Sequence, residues 1–253
     1  MSKIALITGA TSGIGAATAH LLAANGYDLI LTGRRNKRLV ELENALATKY
    51  KTKCLLLCFD VTKPEQVQSS LDSLTANWKA VDVLINNAGL AVGMDTVDNG
   101  EIEDWERMID TNIKGLLYLS RMVVPWMKER KTGHVINISS LAGKESYPLG
   151  GVYCGTKHAV EAISQAMRIE LLPYGIKVGT IAPGMVDTEF SNVRFKGDSD
   201  RAKNVYKGVA PLSPADIAET ILFVITRPAH VNIADVLVLA SAQGSARDVF
   251  RNP

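Results

Sequence analysis

The sequence predicts an α/β protein whose parallel sheet is covered by helices on both faces. Three observations carry that expectation. Short apolar, β-rich runs recur along the 253 residues. Helix-length segments alternate with them, which implies parallel pairing through crossover connections. The runs are nearly continuous in apolar residues, as strands buried on both faces are.

In chain order, strands are expected at 4–8, 28–32, 53–59, 81–86, 134–139, 177–181 and 236–239. Helices are expected at 13–24, 36–49, 64–77, 102–130, 151–172 and 213–227. Ser213-Pro214-Ala215-Asp216 places an N-cap serine before a first-turn proline and an acidic residue. Thr62-Lys63-Pro64-Glu65 follows the same logic. No internal repeat or linker breaks the chain, so residues 1–253 are expected to form one domain. The least regular stretch, 187–212, is polar and contains glycine, the composition of a loop that covers a ligand.

Composition excludes several classes. Hydrophobic residues are 47% and charged residues 21%, enough to bury a large core. The formal charge is +2, which gives no general attraction to nucleic acid or anionic lipid. No apolar run approaches the roughly 18 residues of a membrane span, and the N-terminus lacks a signal-peptide pattern. Three cysteines without a CxxC, and four scattered histidines, predict neither a disulfide framework nor a metal site. A reducing, cytoplasmic compartment is the expectation. Cys54 and Cys58 share a strand face and are expected in the core, and Cys154 is expected to pack rather than react.

The first chemical motif is Thr8-Gly9-Ala10-Thr11-Ser12-Gly13-Ile14-Gly15, between an apolar strand and an Ala-rich helix. Its spacing is G-x3-G-x-G. Glycines there permit a tight turn and let backbone approach a pyrophosphate at a helix N-terminus. At the end of the second strand, a dinucleotide site that binds a free ribose 2′-hydroxyl carries Asp or Glu. This chain has Gly33 followed by Arg34 and Arg35. Arginines pair with a 2′-phosphate through charge-assisted bonds, which favours NADP. Asp60-Val61 ends the third strand, where the carboxylate either meets the adenine amino group or serves as a turn residue. Asn86-Asn87-Ala88-Gly89 ends the fourth with small residues that admit a ligand.

The second constellation is Ser139-Ser140 with Tyr153 and Lys157. The last two are i and i+4 and share one helix face. An alcohol losing hydride must also lose a proton, and a phenol with a pKa of about 10 is a poor base near neutrality. Lysine and a positive nicotinamide at close range would lower it, and Ser140 would orient the reacting oxygen.

Together these motifs, with Asn112 and with Pro183-Gly184 followed by Thr188, resemble the short-chain dehydrogenase/reductase family in order and over almost the whole chain. The resemblance implies a single Rossmann-like, doubly wound domain with a seven-stranded parallel sheet. It implies a tetrad of Asn112, Ser140, Tyr153 and Lys157. Tyr153 would be the acid/base, Lys157 would also bind the nicotinamide ribose, and Asn112 would help hold a water linking Lys157 to solvent. The implied nucleotide site takes Gly9, Thr11, Ser12, Gly13, Ile14, Gly15, Arg34, Arg35, Asp60, Val61, Asn87, Ala88, Gly89, Tyr153, Lys157, Pro183, Gly184, Val186 and Thr188.

Residues 87–94, 189–198 and 228–233 are similar to the NADP-dependent 3-hydroxy acid dehydrogenase branch. That branch acts on L-serine, L-allo-threonine and small 3-hydroxy acids and reduces malonic semialdehyde. All these substrates carry a carboxylate, for which Arg194 is the candidate partner and Lys196 a weaker one. The alternative for Arg194 is an exposed loop cation or an intersubunit ion pair. Alternative functions are a reductase of another carbonyl, such as a 3-oxoacyl thioester, and an NADP-binding regulator without turnover. Segments 105–129 and 151–172 are apolar over much of their circumference. Burial and an interface both account for that, and the resemblance implies a homotetramer.

Overall fold

The computed structural model describes residues 2–252. Seven parallel strands make one sheet in the order β3-β2-β1-β4-β5-β6-β7. They are β1 (Ile4–Ile7), β2 (Asp28–Gly33), β3 (Cys54–Cys58), β4 (Val81–Asn86), β5 (Gly133–Ile138), β6 (Ile176–Pro183) and β7 (Asp235–Val238). The helices are α1 (Gly13–Ala24), α2 (Asn36–Tyr50), α3 (Pro64–Asp72), α4 (Ile102–Ile109), α5 (Leu116–Arg130), α6 (Gly151–Leu171), α7 (Phe190–Arg194), α8 (Ser199–Asn204) and α9 (Pro214–Ile225).

Side-chain alternation along each strand divides the core. Ala5, Ile7, Leu29, Leu31, Ile85 and Ile181 face α1, α2 and α9. Leu6, Ile30, Leu84, Val135 and Val178 face α3, α5 and the end of α6. Both faces are covered, which is why the strands read as continuous apolar runs. The chain order reverses between β1 and β4, and a crevice opens there beyond the carboxyl ends of the strands.

Several expectations change. The 102–130 helix is continuous in direction but is divided by a π-type turn, Asp110–Gly115. Such a turn admits an extra residue, and it carries Asn112 into the interior, where it is 2% exposed. Helix α3 ends at Asp72, five residues earlier than expected. Its N-cap is Lys63, without a side-chain cap, and the Thr62 N–H donates to Asp60 Oδ1 at 3.0 Å in the turn that precedes it. At α9 the expected cap forms in full: Ser213 and Asp216 make a reciprocal capping box. The 187–212 stretch contains the short helices α7 and α8 and buries only Ser191 and Ala202. Cys54 is half-buried and Cys58 is exposed, because β3 is an edge strand that α2 and α3 do not fully cover. Burial raises the Cys54 thiol to about 11. Cys154 packs in a small cluster with Leu90, Met108 and Tyr153.

Candidate active site

A cavity of about 830 Å³ runs along the carboxyl ends of the strands. Its first half is made mainly of backbone. Gly9 holds a φ of +66°, the left-handed region that favours glycine, so the chain turns sharply after β1. A Cβ at Gly15 would overlap the Gly9 carbonyl and lie 2.6 Å from Asn87 Nδ2. The Asn87 and Ala88 N–H groups both donate to Thr8 Oγ1 at 2.9 Å, which ties the β4 end to the β1 end. Helix α1 opens with no side-chain cap on its first N–H groups. Ser12 Oγ instead accepts from Arg35 at 2.9 Å.

Gly9, Thr11, Ser12, Ile14, Arg34, Arg35, Asp60, Val61, Asn87, Ala88 and Gly89 line this half. Gly13 and Gly15 do not line it but shape the loop that does. A Cβ at Gly33 would sit 2.8 Å from Thr11 Cγ2, so the usual acidic residue has no room there without a shift. Arg34 is exposed and lies 3.6 Å from Asp60 Oδ2. Burial pushes the Asp60 carboxyl up, but the Thr62 bonds and Arg34 outweigh it and hold the carboxyl below the usual range. Asp60 is therefore a turn residue, whatever else it contacts.

The second half is made of side chains. Tyr153 and Lys157 stand on the first two turns of α6, both buried. Lys157 Nζ donates to the Ile138 carbonyl at 2.9 Å and lies 6.0 Å from the Tyr153 ring centre. Burial lowers the ammonium to about 8, against Glu161, which raises it. The Tyr153 phenol is enclosed by the same packing. Burial pushes it well above its ordinary value, while Ser140 and Arg194 act in the other direction. Ser140 Oγ accepts the Ala142 N–H at 3.1 Å and so stands at the head of a 3₁₀ turn beside Tyr153. Asn112 is not a lining residue. Its Oδ1 accepts from Leu90 N at 2.8 Å, and its Nδ2 donates to Leu90 O at 2.8 Å and Thr156 Oγ1 at 3.0 Å. A Cβ at Gly89 would lie 3.3 Å from both Asn112 Oδ1 and Lys157 Nζ, so both groups converge on Gly89.

Pro183, Gly184, Val186 and Thr188 close the side of the cavity beyond β6. Arg194 reaches it from the end of α7. Its Nη2 donates to the Tyr147 hydroxyl at 3.1 Å, and its guanidinium carbon lies 5.6 Å and 5.7 Å from the Tyr147 and Tyr153 ring centres. Arg194 Nε is buried with no hydrogen-bond partner among the described residues. Lys196, the weaker candidate, does not line the cavity. It pairs with Asp104 at 2.7 Å.

The family model for short chain dehydrogenase matches residues 3–198, more than half of the chain. This chain belongs to the short-chain dehydrogenase family. An NADP-dependent 3-hydroxy acid dehydrogenase of Schizosaccharomyces pombe (strain 972) is 44% identical over 250 residues, 98% of this chain and 96% of that protein. One of Escherichia coli (strain K12) is 43% identical over 244 residues, 96% of this chain and 97% of that protein. The closed form of serine dehydrogenase complexed with NADP+ superimposes with a TM-score of 0.91 at 43% identity, covering 98% of this chain and 100% of that one.

This short-chain dehydrogenase also places residues at the cavity that sequence reasoning did not select. The Tyr147 hydroxyl holds Arg194, and Phe190 packs on Tyr153 with ring centres 5.7 Å apart. Gln243 Oε1 accepts from Met185 N at 2.9 Å and fixes the turn after β6. Glu189 pairs with Arg35 and Arg38. None of these follows from a period or a spaced motif. For Phe190, Glu189 and Gln243 the usable signal is their position in the irregular 187–212 stretch or the C-terminal tail, and for Tyr147 there is none.

Proposed function

We propose that this short-chain dehydrogenase moves hydride between NADP(H) and small 3-hydroxy acids such as L-serine, L-allo-threonine or 3-hydroxypropionate/malonic semialdehyde. The observation that carries the reading is Arg194. A guanidinium lies over the Tyr153 ring in the cavity that Ser140 and Lys157 also line, with one buried nitrogen unpartnered. A carboxylate one or two carbons from the reacting carbon fits between such a cation and the phenol.

The residues present fit the cofactor. The glycine loop leaves room for a pyrophosphate against uncapped N–H groups, Gly33 excludes the carboxylate that would repel a 2′-phosphate, and Arg34 and Arg35 supply positive charge beside it. Bound NADP supplies the hydride donor or acceptor.

The chain's own residues handle the proton and the geometry. Tyr153 holds a proton at its phenol oxygen and gives it to the substrate oxygen in reduction, or takes it back in oxidation. Ser140 holds that oxygen by a hydrogen bond. Lys157 stabilises the phenolate as it forms and reaches the nicotinamide ribose. Its lowered value of about 8 means that this positive charge is present below that pH and lost above it. Asn112 fixes the Leu90 backbone beside Lys157 and holds the π turn against it. Arg194 orients the acid, and the 187–212 segment covers it. The working form is a homotetramer in a cytoplasmic setting, a reading supported by the exposed apolar Ile109, Leu117, Ile169 and Leu172 on the segments expected to form its interface.

Tyr153→Phe tests the reading. NADPH oxidation with malonic semialdehyde should fall by on the order of 10³-fold in kcat, with NADPH binding nearly unchanged. More than a tenth of the original turnover would remove Tyr153 from the acid/base role.

A further inference from the structure

Glu189 stands between Thr188 and the first residue of α7. Its carboxylate takes one bond from Arg35 Nη1 at 3.0 Å and two from Arg38 Nη1, at 2.7 and 2.9 Å. The remaining nitrogens of Arg35 are engaged on the glycine loop. Nε and Nη2 donate to Thr11 Oγ1 at 3.2 and 2.9 Å, and Nη2 also donates to Ser12 Oγ. One guanidinium thus joins the glycine loop to the segment that carries Phe190 and Arg194.

In the proposed reading this same guanidinium receives the 2′-phosphate of NADP. A guanidinium offers its donors in a fixed fork, and an incoming dianion needs the edge that Glu189 now holds. A carboxylate that shares one guanidinium with a phosphate also repels it. Arg38 gives Glu189 a second partner to fall back on. We infer that Glu189 and the 2′-phosphate compete for Arg35, so that phosphate binding moves Glu189 onto Arg38 and the segment leading to Phe190 and Arg194 responds to the phosphate. Glu189 is then a specificity-determining residue that weakens 2′-phosphate binding, while Arg34 and Arg35 strengthen it. The inference rests on the NADP reading above.

The test uses binding alone. Adenosine 2′,5′-bisphosphate and adenosine 5′-monophosphate are titrated into the whole protein, original and Glu189→Gln, by calorimetry at low salt. The side chain is 46% exposed, so screening keeps the effect modest. Glu189→Gln should bind the bisphosphate roughly 3–10-fold more tightly and the monophosphate equally, and the gain should shrink near 0.5 M salt. Limited proteolysis of the 187–212 segment is the second readout. The bisphosphate, and not the monophosphate, should change its cleavage rate in the original protein, and Glu189→Gln should abolish that response. Equal or weaker bisphosphate binding by Glu189→Gln would overturn the inference and make Glu189 a brace for the arginines. If the original protein bound both probes alike, the NADP reading itself would fail.

Discussion

The two halves of the cavity are built differently. The glycine-loop half is backbone on a sheet. Gly9, Gly15 and the β4 end meet within van der Waals distance, and the strands behind them bury Ile7, Leu31 and Ile85 completely. The substrate half is side chains on a thinly anchored segment. Across 187–212 only Ser191 and Ala202 are buried, and the segment is held by contacts such as Arg194 on Tyr147, Phe190 on Tyr153 and the partly exposed ion pairs of Glu189 with Arg35 and Arg38 and of Lys196 with Asp104. Each fully buried Leu or Ile contributes about 1.5–3 kcal/mol. The first half is therefore coupled to global stability, while the second can open at little cost. In the proposed reading, such a division would hold the nucleotide on a rigid floor and leave substrate selection to the less buried cover.

Gly15→Ala should give the largest effect. The new methyl overlaps the Gly9 carbonyl, and neither strand end can retreat without disturbing the sheet. A loss of about 2–3 kcal/mol is expected from such overpacking. That lowers Tm by roughly 5–10 °C for a chain of this length. Nucleotide affinity should fall with it. An unchanged Tm in a thermal melt would show the floor to be as pliant as the cover.

The sheet should also help set the acid limit of stability. His134 on β5 is buried with neither ring nitrogen partnered among the described residues, and burial, aided by Lys177, lowers it from 6.5 to about 3. Between those values the unfolded chain binds a proton that the folded chain refuses. Stability therefore falls as pH drops from about 6.5 toward 3, and above 6.5 this contribution is complete. His134→Leu should flatten the pH dependence of unfolding by about one proton, roughly 1.4 kcal/mol per pH unit within that window. Superimposable profiles from urea melts at pH 7 and 5 would contradict it.

The same division explains what was legible in the sequence. A backbone-built site needs particular residue types at fixed separations, so Gly9, Gly13, Gly15, Gly33 and Asn87-Ala88-Gly89 stand out, and both core faces follow from continuous apolar runs. Tyr153 and Lys157 are legible because a helix face imposes their spacing. Tyr147, Phe190 and Glu189 reach the site along paths that impose no spacing, so the sequence marks only the 187–212 segment that holds the last two and not the residues themselves. The π turn was hidden for a related reason, since 102–130 has the composition of one helix and the extra residue shows only in the hydrogen bonds. The expected lowering of the Tyr153 phenol depends on the positive nicotinamide as well as Lys157, while the enclosed ring by itself is raised by burial against Ser140 and Arg194.

In the proposed reading, the arginine over Tyr153 selects acids. The most direct measurement compares kcat/KM for malonic semialdehyde with that for an uncharged aldehyde of similar size, in the original protein and in Arg194→Ala. Loss of a charge-assisted bond of about 1.5–3 kcal/mol predicts a fall of roughly 10–150-fold for the acid. Turnover of the uncharged aldehyde should change by less than about threefold, and most of the loss should be in KM. An equal fall on both substrates would make Arg194 a support for Tyr147 and Tyr153 and would remove the carboxylate site from the account.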